Sequence, residues 1–204
     1  MSGSLVLLGG GEHAQVVAEA ARLAGWSVRG CVAPSAPSTA NGLPWLGPDE
    51  AWQPQPDDRH LLVAVGAPGT PLRHDLAVRF ADLAWATIIH PAAIVSPSAA
   101  IAPGAFIAAG AIVGTRTSLA RHAIVNTGAQ ADHDCRIGTG AHLAPGAILG
   151  GGVAVGDWAF IGLGARVRDH RAIGAGAIVG MGSVVLAHVP AGATVYGVPA
   201  EARP

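Results

Sequence analysis

The sequence predicts a small α/β domain followed by a parallel β-helix. Two features of the 204-residue chain support this prediction: a glycine-rich turn close to the N-terminus and a six-residue repeat over the second half. From Ile89 to Val185 every sixth residue is aliphatic, and sixteen of the seventeen positions hold Leu, Ile or Val, with Ala131 as the exception. A period of six fits neither an α-helix nor a simple hairpin, but it fits a chain that turns a corner after each short strand.

Three such sides make one triangular coil of three hexads, so seventeen hexads predict between five and six stacked coils. The aliphatic residue fills the interior, and a small residue four positions later, usually Ala, fits near a corner. Glycine, Asn or Asp beside the aliphatic residue tolerates the backbone of the turn. No loop interrupts the hexads, and we therefore expect flat outer faces that suit packing against other chains.

The N-terminal segment predicts a strand, a glycine turn and a helix. Ser4–Leu8 is the strand, and the helix runs to about Leu23. The spacing Gly9-x-Gly11-x-x-Ala14 is that of dinucleotide folds, which places backbone N–H groups and a helix N-terminus where a pyrophosphate can sit. The alternative interpretation is that these glycines only shape a tight turn.

Further elements extend this pattern to a small parallel, Rossmann-like sheet. A second strand is predicted over residues 26–32, a third over 61–66, and a second helix over about 71–80. The predicted domains are a small Rossmann-like domain at 1–86 and a β-helix domain with a C-terminal tail at 87–204.

Composition excludes several classes of function. A formal net charge of −1, one Tyr and three Phe provide neither a basic field nor stacking surfaces, so nucleic acid is not an expected partner. No apolar run is long enough to cross a membrane, and Ser4–Leu8 is also too short for a signal peptide, which predicts a soluble cytoplasmic protein. Cys31 and Cys135 are far apart and predict reduced thiols.

Three segments of the chain resemble the sugar acyltransferase family of the NeuD/PglD type. They are Gly-Gly-Gly-Glu-His-Ala at the N-terminus, the run from Asn126 to Gly138, and Tyr196-Gly-Val-Pro-Ala at the end. Members acetylate the amine of nucleotide-linked amino sugars or, in one branch, a sialic acid hydroxyl. The resemblance implies a left-handed β-helix, acetyl-CoA as co-substrate, and a homotrimer with active sites between chains.

The resemblance also implies roles for residues of the β-helix. It assigns the general base to His133 and the adjacent acidic residue to Asp134. It places His142 on the acetyl-CoA side and matches Asn126 to an active-site asparagine.

Other segments hold the residues predicted to contact acetyl-CoA and the nucleotide part of the sugar substrate. Gly151 and Gly164 lack side chains and can let the pantetheine arm of acetyl-CoA approach the backbone, or they serve only the turns. For the nucleotide diphosphate the resemblance implies the following residues: Gly9, Gly10, Gly11, His13, Gly66 and Arg73. Relatives often carry an acidic pair after the second strand, where this chain reads Cys-Val-Ala-Pro-Ser-Ala-Pro from Cys31.

Acetyl transfer to an amine needs a base for the amine proton, and histidine beside a carboxylate suits this task. We expect His133 to point out of the prism toward a neighbouring chain. Because neighbours on a strand alternate in direction, the partner of Asp134 could be its own His133 or a group of another subunit.

Other functions remain open at the level of sequence. The same groups would serve O-acetylation of a sugar hydroxyl, and a non-catalytic β-helix scaffold is the alternative from another class. A metalloenzyme is a third possibility. We expect no metal, however, because His170 and His188, predicted to share a column with Asp134 and Gly152, have no third ligand fixed in sequence.

Overall fold

A computed structural model describes residues 4–37, 42–62 and 71–202. The chain divides into two compact units, 1–91 and 92–204. Within the described ranges, no helix is both long and apolar enough to cross a membrane.

The first unit is built on a three-stranded parallel sheet with strand order β2-β1-β3. Its elements are β1 Ser4–Leu8, α1 Glu12–Leu23, β2 Ser27–Val32, β3 Asp58–Leu62, α2 Leu72–Arg79 and β4 Ile88–Ile89. β1 is central and fully buried from Leu5 onward, because it has a paired strand on each side. The predicted βαβ order is confirmed. β3 begins three residues before the predicted start, and the predicted residues 63–66 lie outside the described part.

The second unit is a parallel β-helix of two-residue strands, as the hexad repeat predicts. The strands are β5 Ile94–Val95, β6 Ala100–Ile101, β7 Phe106–Ile107, β8 Ile112–Val113, β9 Ser118–Leu119, β10 Ile124–Val125, β11 Gln130–Ala131, β12 Arg136–Ile137, β13 His142–Leu143, β14 Ile148–Leu149, β15 Ala154–Val155, β16 Phe160–Ile161, β17 Arg166–Val167, β18 Ala172–Ile173, β19 Ile178–Val179, β20 Val184–Val185, β21 Thr194–Tyr196 and β22 Glu201–Ala202. Its coiling is left-handed.

The strands stack into three faces, and each strand from β5 to β17 pairs in parallel with the strand three hexads further along the chain. One face has the order β22-β21-β19-β16-β13-β10-β7, with β22 antiparallel to β21; the second has β20-β17-β14-β11-β8-β5, and the third β18-β15-β12-β9-β6. The second residue of each strand points inward, so Val125, Leu143 and Ile161 are fully buried on one face. Each coil buries its aliphatic residues against its neighbours, as in other stacked-repeat proteins.

The corners explain the polar part of the repeat. From Gly104 to Gly182 the second residue of each corner has a positive φ, a conformation that glycine adopts without steric cost. Among the described residues, five other than glycine adopt it: Arg116, His122, Asp134, Trp158 and His170. At these five corners the outer surface therefore carries a side chain at a position that is glycine elsewhere.

The register shortens near the C-terminus, and this corrects one prediction. Ile173 bridges Val189 and Ile178 pairs with Thr194, and both spacings fall two positions short of three hexads. His188 therefore does not continue the column of His170. Its Nδ1 instead accepts a hydrogen bond of 3.0 Å from the backbone N–H of Ala172.

Candidate active site

The corner between β11 and β12 carries the predicted catalytic histidine. His133 is its first residue, and 53% of the His133 side chain is exposed. The imidazole lies on the outside of the prism, as predicted, while Ala131 and Cys135 on either side are fully buried. A half-exposed histidine on a rigid corner is available to a substrate.

His133 pairs with Asp134 of the same chain. Nδ1 of His133 lies 2.7 Å from Oδ2 of Asp134. The two residues sit on a corner rather than on a strand, and the φ of 60° at Asp134 turns its side chain to the side of the imidazole. The alternating side-chain directions of a strand therefore do not apply here. Asp134 pairs with the histidine of its own chain.

Arg116 holds the same carboxylate from the preceding coil. Its Nε donates to Oδ1 of Asp134 and its Nη2 to Oδ2, both at 2.7 Å. The hydrogen bonds from Arg116, followed by that from His133, lower the pKa of Asp134 to about 2. Sequence reasoning missed Arg116, although it precedes Asp134 by three full hexads, the coil repeat that places the two side chains together.

These contacts define the protonation pattern of the imidazole. An ionised carboxylate only accepts hydrogen bonds, so Nδ1 of His133 carries the proton that it donates to Asp134. In the neutral ring, Nε2 then has a free lone pair. The geometry presents Nε2 of His133 as a proton acceptor on the outer surface.

The backbone around His133 is braced by a second set of hydrogen bonds. The N–H of His133 donates to Oδ1 of Asp132 at 2.7 Å. The buried hydroxyl of Thr117 donates to the carbonyl of Asp132 and accepts from the N–H of Cys135 at 3.0 Å. These hydrogen bonds hold the backbone on both sides of His133 in place, and they therefore restrict the position of the imidazole. Thr117 was also missed from the sequence, where it is only one of the small inward residues.

Two of the predicted acyl-donor residues occupy different surroundings. The ring of His133 lies against Gly151, where an added Cβ would be 2.5 Å from Nε2. Gly164 belongs to another corner, has a φ of 62°, and faces open space where a side chain would be. The structure therefore brings Gly151, but not Gly164, into contact with the His133 imidazole.

Asn126 and His142 form a second polar pair on the β-helix. Oδ1 of Asn126 accepts from the N–H of Thr127 at 2.8 Å, which directs its Nδ2 to Nε2 of His142 at 3.1 Å. His142 also packs edge-on against Phe160, with ring centroids 5.2 Å apart. Both members of the pair are buried. Each was predicted by itself, and their contact was not.

In the glycine turn of the first unit, two glycines are required by the local structure and the third lies beside open space. Gly9 has a φ of 119°, and a Cβ on Gly10 would lie 2.7 Å from the Pro37 ring, so these two positions require glycine for backbone and packing reasons. Gly11 caps α1 without a side-chain hydrogen bond and has open space in front of it. The first N–H groups of α1 thus face an accessible region, as an anion site needs.

His13 and Arg73 come together in the same unit. Arg73 on α2 is buried, and burial lowers its pKa to about 10. Burial, followed by the charge of Arg73, lowers the pKa of His13 to about 4. A buried guanidinium beside a neutral imidazole at a helix N-terminus favours an anionic ligand. The other predicted member of this set, Gly66, lies outside the described residues.

Among the described residues, no group of three His, Cys, Asp or Glu side chains is placed to hold a metal ion. Cys31 and Cys135 are free and buried, and burial raises the pKa of both thiols.

A groove of about 630 Å³ runs along the third face of the β-helix. The strand that follows the His133 corner, β12, lies in the middle of this face. Most of the outward residues are small and apolar, as at Ala100, Ala154 and Ala172, and Arg136 supplies a charge. The His133 corner thus borders a smooth, mainly apolar surface.

A β-helix of uninterrupted hexapeptide repeats, with a histidine–carboxylate pair on an outer corner, defines the class of hexapeptide-repeat acyltransferases. Comparisons with known proteins agree and are more specific. The PglD N-terminal domain family matches residues 4–77. The chain belongs to the sugar acyltransferase family of the NeuD/PglD type.

Several solved structures are similar over their whole length. A single-residue mutant of perosamine N-acetyltransferase from Caulobacter crescentus, in complex with CoA and GDP-perosamine, is 38% identical over 99% of this chain and 97% of its own, with a TM-score of 0.91. The acetyltransferase domain of PglB from Neisseria gonorrhoeae, in complex with acetyl coenzyme A, is 32% identical over 100% of both chains, with a TM-score of 0.89. WeeI from Acinetobacter baumannii is 25% identical over 98% and 99%, with a TM-score of 0.86. No match is found among curated protein sequences.

Proposed function

We propose that this protein is an acetyl-CoA-dependent N-acetyltransferase that acts on a nucleotide-linked amino sugar. The observation that carries the proposal is the His133–Asp134 pair, which presents Nε2 of a braced, outward imidazole as a base. Membership of the sugar acyltransferase family supports the acyl donor and the sugar acceptor. The complexes of perosamine N-acetyltransferase with CoA and GDP-perosamine support the amine as the acceptor group.

The reaction follows from these groups. The neutral amine of the sugar attacks the thioester carbonyl, and a C–N bond forms while the carbonyl electrons move to oxygen. Nε2 of His133 accepts the amine proton, and Asp134 stabilises the resulting imidazolium. The tetrahedral intermediate collapses, the C–S bond breaks, and the imidazolium returns its proton to the thiolate of CoA. The products are the N-acetyl sugar and CoA, and His133 regains its starting state.

Within the first unit, the proposed ligand is the diphosphate of the nucleotide sugar. Gly9 and Gly10 shape the turn, and Gly11 leaves the N-terminus of α1 accessible. His13 and Arg73 supply a donor and a positive charge beside it. We assign to the acyl donor His142 on β13 and the two corner glycines Gly151 and Gly164. The substrates and acetyl-CoA point to the cytoplasm as the place of action.

The proposed assembly is a homotrimer. His133 is half exposed, and the flat third face beside it has the small apolar residues of a packing surface. A neighbouring chain packed along this face would close the site around the imidazole and exclude water from it.

The test is a thermal-shift screen of nucleotide sugars with and without CoA, followed by turnover assays with the stabilising acceptor. A ligand at 100 times its Kd raises the free energy of unfolding by about 2.7 kcal/mol. We expect a nucleotide-linked amino sugar to bind and to be acetylated, and His133→Ala to lower kcat by about 10²- to 10⁴-fold without loss of assembly. Preference for a hydroxyl acceptor in a competition assay would identify an O-acetyltransferase. Absence of any CoA effect would favour a scaffold.

A further inference from the structure

Gly151 differs from the equivalent residues of the other corners of the β-helix. It is the first residue of its corner, the position that His133 occupies one coil earlier. The other first corner residues from Pro97 to Met181 all carry side chains: Pro97, Pro103, Ala109, Thr115, Arg121, Thr127, His133, Thr139, Pro145, Asp157, Leu163, Asp169, Ala175 and Met181. The fold therefore accepts a side chain at this position in each corner, and the glycine at 151 needs a local reason.

The backbone of Gly151 does not supply that reason. Its φ lies outside the left-handed region, whereas the neighbouring Gly152 has a φ of 69°. Ala at position 151 would therefore be free of backbone strain.

The reason lies in the imidazole of His133. A Cβ on Gly151 would be 2.5 Å from both Cε1 and Nε2 of His133 and 3.2 Å from its Cδ2, where ordinary contact begins at 3.4 Å. The imidazole thus packs with its face, at the Cε1–Nε2 bond, over the bare Cα of Gly151. Gly151 is itself buried.

We propose that Gly151 is a positioning residue for His133: the missing side chain creates the space in which the imidazole binds Asp134 and presents Nε2. This inference rests on the proposed function for its effect on catalysis, but the steric contact does not depend on it. A methyl group at 151 displaces the ring by about 1 Å or separates Nδ1 from Asp134, and a displacement of that size costs roughly 10²-fold in rate.

The experiment compares Gly151→Ala with Gly176→Ala. Gly176 has a φ of 66° and open space around a Cβ, so its substitution strains a corner of the same β-helix far from the imidazole. We expect Gly151→Ala to lower kcat about 10²-fold, with the KM for the sugar substrate changed less than about 3-fold. Gly176→Ala should lower the melting temperature and retain kcat. Equal kcat for Gly151→Ala and the parent protein would overturn the proposal.

A second measurement does not need turnover. The Cε1–H signal of His133, identified by its absence in His133→Ala, is compared by NMR at one fixed pH. In Gly151→Ala we expect a changed chemical shift, because the ring loses its place beside Asp134. An unchanged chemical shift would contradict the steric role, whichever reaction the protein catalyses. If the signal changes but no acceptor is acetylated, the positioning role stands and the proposed function fails.

A variant pair covers the case in which Gly151→Ala folds poorly. In a His133→Ala background the space beside residue 151 is empty, so adding Gly151→Ala should leave the unfolding midpoint unchanged. If the double variant loses as much stability as the single variant, the glycine serves the backbone and the proposal is wrong.

Discussion

At the scale of single residues, one carboxylate oxygen determines the state of the candidate base. Oδ2 of Asp134 accepts from both His133 and Arg116, at 2.7 Å each. Arg116 keeps the carboxylate ionised, and the carboxylate in turn keeps the proton of the imidazole on Nδ1. All three side chains are substantially exposed, so the group contributes little to folding stability and its importance lies in orientation.

Asp134→Asn tests this orientation. The amide can donate to Nδ1, which would move the imidazole proton to Nε2 and remove the free lone pair from the reactive side. We expect kcat to fall by about 10²- to 10⁴-fold, because the corresponding change in a serine protease triad costs about 10⁴. The KM values for both substrates should stay close to those of the parent protein. A variant with nearly full kcat would show that the His133–Asp134 contact is not used in the reaction.

At the scale of elements, the buried Arg73 of α2 lies near His13 in the first turn of α1 and affects its pKa. Arg73 on α2 and His13 on α1 are close enough for the arginine to lower the pKa of the imidazole. Since His13 is neutral in the folded protein at neutral pH, its protonation opposes folding. This gives the unit a pH dependence that can be measured without any ligand.

His13→Asn should reduce that dependence. The pKa of His13 is about 4 when folded and 6.5 as the ordinary value, so the unfolded chain binds more protons between these limits. Stability is therefore greatest above pH 6.5 and falls by about 3 kcal/mol as the pH drops to 4. Urea unfolding followed by tryptophan fluorescence reports mainly on the first unit, which holds Trp26, Trp45, Trp52 and Trp85.

We expect His13→Asn to flatten the urea midpoint between pH 7.5 and 5, and His74→Asn, an exposed histidine on the same helix as Arg73, to leave the slope unchanged. Part of the slope should remain, because burial also lowers the pKa of His60. Equal slopes in the parent protein and in His13→Asn would show that His13 titrates normally.

The elements also show what the sequence could and could not predict. The hexad period determined the faces, the corners and the outward direction of His133, because a coil of three identical sides leaves little freedom in three dimensions. Contacts between coils were harder to foresee. Arg116, Thr117 and Gly151 act on His133 through stacking. In the local sequence Arg116 and Thr117 resemble ordinary turn or inward residues, and Gly151 stands out only when the first residues of all the corners are compared. The end of the β-helix was mispredicted at His188, since the last coil is shorter than the others.

At the scale of the whole molecule, the β-helix leaves apolar surface exposed. Ile94, Leu163 and Met181 are more than half exposed, and the groove on the third face adds further apolar area. Soluble proteins usually cover patches of this kind with a partner. If three chains pack side by side, the flat faces become interfaces and His133 becomes covered by a neighbouring chain.

Ala154→Glu tests the homotrimer. Ala154 lies on β15 in the third face and lines the groove, so a buried carboxylate there would oppose packing against another chain. The chain mass is 20.3 kDa, and light scattering on a size-exclusion column should give about 61 kDa, three times that value, for the parent protein. We expect about one third of that mass and lost turnover for Ala154→Glu. Ala175→Glu, on an exposed corner, should keep both the mass and the activity. A parent protein that is monomeric and fully active would require a complete site within one chain.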